Sequence, residues 1–187
     1  MPQGGNRDDH LMQAIAAGNE AAFAELMHRH RQRVYHQVRA IVSDSNQAED
    51  LTQEVFARVY RSASDFTAQG SFPAWLGRIA LNLARSHLRQ QRRSAHLSLS
   101  DGEMELLKTD GSDPMQAVLV KGLNEDVRTA IQALPDEQRF PLIMRYFGDM
   151  SVQDIAWAMH CPEGTVKSRL FYALRRVRET LTSEGES

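Results

Sequence analysis

The chain has 187 residues, enough for one or two small domains, and an ordinary globular composition of 42% apolar and 25% charged residues. Its formal net charge of −2 is unfavourable for a protein that grips DNA unaided, because phosphate contacts need concentrated Lys and Arg. No apolar run approaches the roughly 18 residues of a membrane span, residues 1–10 lack the apolar centre of a signal peptide, and the single cysteine, Cys161, excludes an internal disulfide; a cytoplasmic protein without membrane insertion is expected.

Residues 8–93 read as helix almost throughout. Leu11, Ile15, Phe23, Leu26 and Met27 recur at helical spacing, with a break near Gly18-Asn19. Val34, Val38, Ile41 and Val42 continue the stripe up to a turn at Ser43-Asp44-Ser45-Asn46. Ala48, Leu51, Val55, Phe56 and Val59 mark the next helix, and residues 65–71 read as a loop containing Gly70. Pro73 suits a first helical turn. Trp75, Leu76, Ile79, Ala80, Leu83 and Leu88 then define a helix that runs into an Arg-rich stretch.

Residues 94–114 lack a sustained period; Gly102, Gly111 and Pro114 argue for a linker. Periodicity returns with Val118, Leu119, Leu123, Val127, Ile131 and Leu134, is broken by Pro135, and resumes with Phe140, Leu142, Ile143 and Tyr146 until Gly148. No alternating strand pattern occurs. The expected fold class is all-α: two small helical domains, at 8–94 and 121–183, joined by an acidic linker at 95–120. Charge divides the chain in the same way. Residues 78–93 hold five Arg and no acid, residues 101–126 hold seven acids against two Lys, and residues 163–178 hold five basic residues against one acid.

The last basic stretch closes a helix-turn-helix pattern. Ser151 is a good N-cap, with Asp154 favouring the helix dipole, and Val152, Ile155, Ala156 and Met159 form an inward face. After His160-Cys161-Pro162, a second helix is expected to bury Val166, Leu170, Leu174, Val177 and Leu181. Its other face carries Glu163, Thr165, Lys167, Ser168, Phe171, Tyr172, Arg175 and Arg176. Such a face suits a recognition helix, whose N-terminal residues reach base edges while Arg and Lys hold phosphates. The plainer alternative is a solvated basic face on an ordinary helical hairpin.

These residues carry a family resemblance. Leu134-Pro135, Ser151-Val152-Gln153-Asp154-Ile155-Ala156 and Pro162-Glu163-Gly164-Thr165-Val166-Lys167-Ser168-Arg169 resemble region 4 of a group 4, extracytoplasmic-function sigma factor. Ala48-Glu49-Asp50-Leu51-Thr52-Gln53-Glu54-Val55-Phe56 is similar to region 2.2. Phe72-Pro73-Ala74-Trp75-Leu76-Gly77-Arg78-Ile79-Ala80-Leu81-Asn82 is similar to regions 2.3 and 2.4. The likeness spans residues 10–180, with its motifs in family order, and is nearest to the envelope-stress subgroup typified by RpoE and AlgU. The pattern also implies no separate regions 1.1 and 3.

The resemblance implies an alternative sigma factor that joins core RNA polymerase and directs it to promoter DNA. It assigns binding of the β′ clamp helices to the helix of Asp50, Gln53, Glu54, Phe56 and Arg58. Phe56 is left open by the residues themselves, as edge, core or interface. Without the family the acids read as a soluble helix face. The resemblance assigns −10 melting to residues 66–93. Phe66, Phe72 and Trp75 are aromatic or apolar groups for unstacked bases, and Arg78, Arg85 and Arg89 a positive track. Trp75 equally fits a core position. Asn82 suits a base edge or a local backbone partner. Domain 4 is expected to read the −35 element and to touch the β flap near residues 140–147. Tyr172 stands where the family is often basic, so no −35 base preference carries over. An anti-sigma factor, often membrane-anchored, is a further family expectation, as is a role in a stress response.

No catalytic motif or Gly-rich phosphate loop occurs, and no cofactor or metal is expected. His28, His30 and His36 are spaced two and six apart and do not share a helix face as a ligand pair. Cys161 reads as a small hydrophobe. A sigma-mimicking protein that sequesters an anti-sigma factor would not need Lys167, Arg175, Arg176 or the 78–93 cluster. A dimeric helix-turn-helix regulator would not need the first domain.

Overall fold

Helix propensity and capping account for eight α-helices among the described residues of a computed structural model, which are 4–42, 44–67, 71–98 and 125–184. α1 spans Gly4–Ala16 and α2 Glu20–Val42. Between them Gly18 adopts φ +85°, a left-handed conformation glycine takes without a Cβ penalty. α3 spans Ser45–Arg61, capped by the Asp44 carboxylate, which accepts from Gln47 N at 2.7 Å. A single 3₁₀ turn, Ala63–Asp65, precedes α4, Phe72–Ser98. Ser71 caps α4, its Oγ accepting from Ala74 N at 3.2 Å, and Pro73 sits in the first turn. α4 therefore extends to residue 98, beyond the expected domain end at 94; most of the expected linker, at residues 99–120, and the periodic residues 118–123 lie outside the described residues.

α1–α4 form the first bundle: α2 packs on α1, α3 and α4, and α3 packs on α4. Leu26, Val34, Val38, Val55, Phe56, Val59, Leu76, Ala80 and Leu81 fill its centre. α5 (Glu125–Gln132), α6 (Asp136–Tyr146), α7 (Val152–Met159) and α8 (Glu163–Glu184) form the second. There α8 is the hub, packing on α5, α6 and α7 around Phe140, Ile143, Ile155, Val166 and Ala173. Pro141 lies inside α6, removing one donor from its helical ladder.

The two bundles also touch. α4 lies against α7, and α2 against α6 and α5. Met150, in the turn before α7, is 1% exposed, and its Sδ fills the space above Gly77 of α4. Nothing in the periodicity indicated this seam.

Candidate nucleic-acid interface

The helix-turn-helix is locally self-specified. Ser151 and Asp154 form a reciprocal capping box: Asp154 N donates to Ser151 Oγ at 3.0 Å and Ser151 N to Asp154 Oδ2 at 3.2 Å. His160 ends α7 at φ 50°, and Cys161 N donates back to Ala156 O at 3.1 Å, closing the helix before Pro162. Thr165 N and Val166 N then donate to Pro162 O, which starts α8.

α8 buries Val166 and Ala173 fully and Leu170 and Val177 partly. The expected inward stripe is corrected at one position. Leu174 is 43% exposed, and Ala173 takes the buried place, because the inward line steps 166, 170, 173, 177. Arg169, half-buried, turns toward α6, with Nη2 3.6 Å from Glu137 Oε2.

The outward face holds the expected recognition residues. Glu163, Lys167, Ser168, Phe171, Tyr172, Arg175 and Arg176 are exposed and Thr165 is half-buried. Several are held by neighbours one turn away. Lys167 Nζ lies 4.0 Å from Glu163 Oε2, and Ser168 Oγ donates to Thr165 O at 3.0 Å. Arg175 Nε donates to Glu179 Oε1 at 2.7 Å, a bond that raises the guanidinium above its ordinary pKa. The Phe171 and Tyr172 rings meet edge-on at 5.5 Å, making an exposed aromatic step among cations. Bases or thymine methyls pack on such a surface, and the flanking cations suit phosphates.

In the first bundle the expected −10 residues divide. Phe66, Phe72 and Trp75 do form one aromatic cluster, with centroid distances of 5.0–6.0 Å. Phe72, however, is 0% exposed and packs on His30; it is the floor of the cluster, while half-buried Phe66 and Trp75 form its rim. Asn82, Arg85 and Arg89 are exposed along α4 and Arg78 is half-buried. The Arg78 guanidinium sits 5.3 Å over the Trp157 ring of α7, and that of Arg85 4.9 Å over Phe140 of α6. Two of the four expected −10 polar side chains therefore contact the second bundle. Residues 68–70, within the loop expected to capture a base, lie outside the described residues.

On α3, Asp50, Gln53 and Arg58 are exposed beside Glu54. Glu54 Oε1 accepts from Arg58 Nε at 3.3 Å and Arg61 Nη2 at 2.8 Å, and these bonds, that to Arg58 foremost, hold its carboxyl below the ordinary range. Phe56 is 1% exposed, so among the readings left open for it the core is the one realised.

A buried polar group went unread in the sequence. Asp8 and His30, 2% and 5% exposed, meet at 3.1 Å, and Arg29 Nη1 reaches the other Asp8 oxygen at 2.9 Å. Their separation across α1 and α2 hides the pairing from any local motif. Among the described residues no cluster of His, Cys, Asp or Glu has the arrangement of a metal site, and no helix is long and apolar enough to cross a membrane.

Comparison with known proteins gives the same two units. Residues 26–94 match the family described as Sigma-70 region 2, and residues 124–177 the family described as Sigma-70, region 4. The chain is 32% identical over 181 residues to the RNA polymerase sigma-H factor of Pseudomonas aeruginosa, covering 94% of each chain. It is 32% identical over 186 residues to the ECF RNA polymerase sigma-E factor of Escherichia coli K12, covering 95% of this chain and 93% of that one. Two solved structures share the fold. CnrH, in complex with the cytosolic domain of CnrY, gives a TM-score of 0.71 at 21% identity, over 95% of this chain and 98% of that one. RpoE of Bartonella quintana, in complex with the anti-sigma factor NepR, gives 0.67 at 24%, over 86% and 96%.

Proposed function

The chain belongs to the sigma-70 family, within its extracytoplasmic-function group, and from that premise we propose how its two helical bundles divide the work of transcription initiation. It is an alternative sigma factor, an initiation factor rather than a catalyst. The observation that carries the division is the exposed face of α8, where Lys167, Phe171, Tyr172, Arg175 and Arg176 project together from a helix anchored by a capping box on α7.

In this reading α8 enters the major groove of the −35 element. Its N-terminal Glu163, Thr165, Lys167 and Ser168 meet base edges, and Arg175 and Arg176 hold phosphates. Asp50, Gln53, Glu54 and Arg58 of α3 present an acidic-polar face to the β′ clamp helices of core RNA polymerase; α6, near residues 140–147, meets the β flap. The rim of Phe66 and Trp75, with Asn82 and the Arg78, Arg85 and Arg89 track, receives the separated −10 strand. Unstacked bases pack on aromatic rims and their phosphates follow cationic tracks. Melting then proceeds without nucleotide hydrolysis, because captured bases and strand offset the cost of unpairing. The protein works in the cytoplasm, domain 2 spanning 8–94 and domain 4 spanning 121–183. An anti-sigma factor, probed best as a membrane-anchored one, holds it inactive until envelope stress, in the manner of the RpoE and AlgU subgroup.

Run-off transcription with purified core polymerase on fragments of the source genome tests the assignment. A promoter-specific transcript that appears only with the added chain is expected. Its absence from every fragment overturns the reading.

A further inference from the structure

We infer that the buried Asp8–His30 pair braces the aromatic rim of Phe66 and Trp75, which makes His30 a positioning residue for promoter opening. The link to opening rests on the sigma-factor reading above; the bracing of the rim does not.

The pair joins α1 to α2. Asp8 and His30 are both buried, and His30 Nε2 lies 3.1 Å from Asp8 Oδ2. A carboxylate only accepts, so Nε2 is the donor. Arg29 Nη1, 2.9 Å from the other Asp8 oxygen, forms an ion pair that offsets the buried charge. His30 Nδ1 is buried and has no hydrogen-bond partner among the described residues. Among those residues, the bond to Asp8 is therefore the directional hold on the imidazole. Such a bond sets which nitrogen carries the proton and how the ring stands.

The imidazole passes that orientation to α4. Its ring lies 5.2 Å from the ring of Phe72, the first residue of α4, at an interplanar angle of 57°. Phe72 in turn lies 6.0 Å from Phe66 and 5.9 Å from Trp75, so the rim stands on a floor that a hydrogen-bonded imidazole supports. α1 also packs on the 3₁₀ turn that Phe66 closes and on α4, which carries Trp75. Stability alone does not account for the pair. Apolar side chains of similar volume often replace a buried ion pair with no loss of stability, and an unpartnered buried nitrogen costs about 1–3 kcal/mol. Leu and Phe at these two positions would avoid both costs, but they carry no directional bond. A rim that stacks bases needs direction, because a misplacement of about 1 Å at a reacting site costs on the order of a hundredfold.

The test compares Asp8→Asn, which keeps an acceptor for Nε2, with Asp8→Leu, which removes it at similar volume. Where Asp8→Leu does not fold, Asp8→Leu/His30→Phe takes its place as the apolar pair. The full chain is labelled with 5-fluorotryptophan; its two tryptophans, Trp75 and Trp157, lie one in each bundle, and Trp157→Phe assigns their fluorine resonances. Asp8→Leu is expected to shift or broaden the Trp75 resonance and to leave that of Trp157 in place. Asp8→Asn is expected to leave both in place. Equal movement of both resonances, or equal effects of Asp8→Asn and Asp8→Leu on Trp75, overturns the bracing. Promoter opening is then followed with holoenzyme on a promoter recovered by run-off transcription, carrying 2-aminopurine in its −10 element. Asp8→Leu is expected to lower the limiting opening rate by about tenfold, with core binding and the half-saturating holoenzyme concentration unchanged, and Asp8→Asn to restore it. An unchanged limiting rate, or an equal loss of core binding, overturns the positioning role. If the unaltered chain opens no promoter, the sigma-factor reading fails, and the Trp75 resonance still decides whether Asp8 and His30 hold the rim.

Discussion

At the scale of single residues the helix-turn-helix unit is governed by backbone space and by burial. Gly148, between α6 and α7, would place a Cβ 2.6 Å from Met144 O and 3.2 Å from Gln37 Oε1. A backbone carbonyl does not yield as a flexible side chain does. Gly148→Ala is therefore expected to cost about 1–3 kcal/mol, read from urea unfolding. Gly164 supplies the contrast, since no atom outside its own helix lies within 4 Å of its Cβ position; Gly164→Ala is expected to stabilise by about 0.5 kcal/mol through helix propensity. A mirror-image result would mean that local crowding does not control these positions. His36 adds a pH dependence. Burial holds its imidazole below the ordinary value of 6.5, so the folded chain keeps it neutral where the unfolded chain protonates it. In that window the unfolded state binds more protons, and stability rises with pH. The contribution is complete above about pH 6.5 and is lost as pH falls toward the depressed folded pKa. His36→Gln is expected to flatten this part of the stability profile, and an unchanged slope between about pH 5 and 7 would assign the dependence to another group.

At the scale of elements, the proposed function has α7 and α8 separate stability from recognition. Ser151 satisfies the first turn of α7 through its capping box but projects nothing onto the outer face of α8. Ser151→Ala is expected to cost about 1 kcal/mol of stability and to leave the salt dependence of promoter binding unchanged. Lys167 and Arg176 show the opposite pattern, being exposed on α8 and outside its buried line of Val166 and Ala173. Lys167→Ala/Arg176→Ala is expected to unfold normally, to bind core polymerase normally, and to lose −35-dependent initiation. The slope of log affinity against log salt for the holoenzyme is expected to fall by about one, for the phosphate contact of Arg176. Equal loss of core binding would contradict the division between α3 and α8. Both elements were legible in the sequence because their signals are local: Ser151 with Asp154, Pro162, and apolar spacing. Leu174 shows where that reading fails. Residues 170 and 174 fit one helical stripe, yet 170 and 173 fit it nearly as well. Only the packed partners α5, α6 and α7 select the second.

At the scale of the whole molecule, the sequence disclosed two units and their order, and concealed how they meet. The all-α class followed from helical periods, and the faces proposed for α3 and α8 from the family resemblance of their ordered motifs. Phe72 and Phe56 stand in motifs whose family resemblance implies a site, and an aromatic near a charged motif looks the same whether it faces outward or inward. The Asp8–His30 pair and the α4–α7 seam arise from residues far apart in sequence, where spacing carries no information. Met150 makes the consequence measurable. It lies outside any helix, yet it is 1% exposed because its thioether is seated over Gly77 in the other bundle. Truncating a fully buried Met generally costs about 2–5 kcal/mol. If the seam couples the bundles, Met150→Ala is expected to weaken that coupling as well as the total. Calorimetry of the unaltered chain then shows one unfolding transition, and Met150→Ala splits it in two, with the second bundle melting first. Met12, equally buried but inside the first bundle, is the control; Met12→Ala is expected to lower stability without uncoupling the second bundle. A Met150→Ala chain that loses stability in a single transition would show that this side chain supports its own bundle only. Independent transitions in the unaltered chain would show that the seam is too weak to make the two bundles fold as one unit.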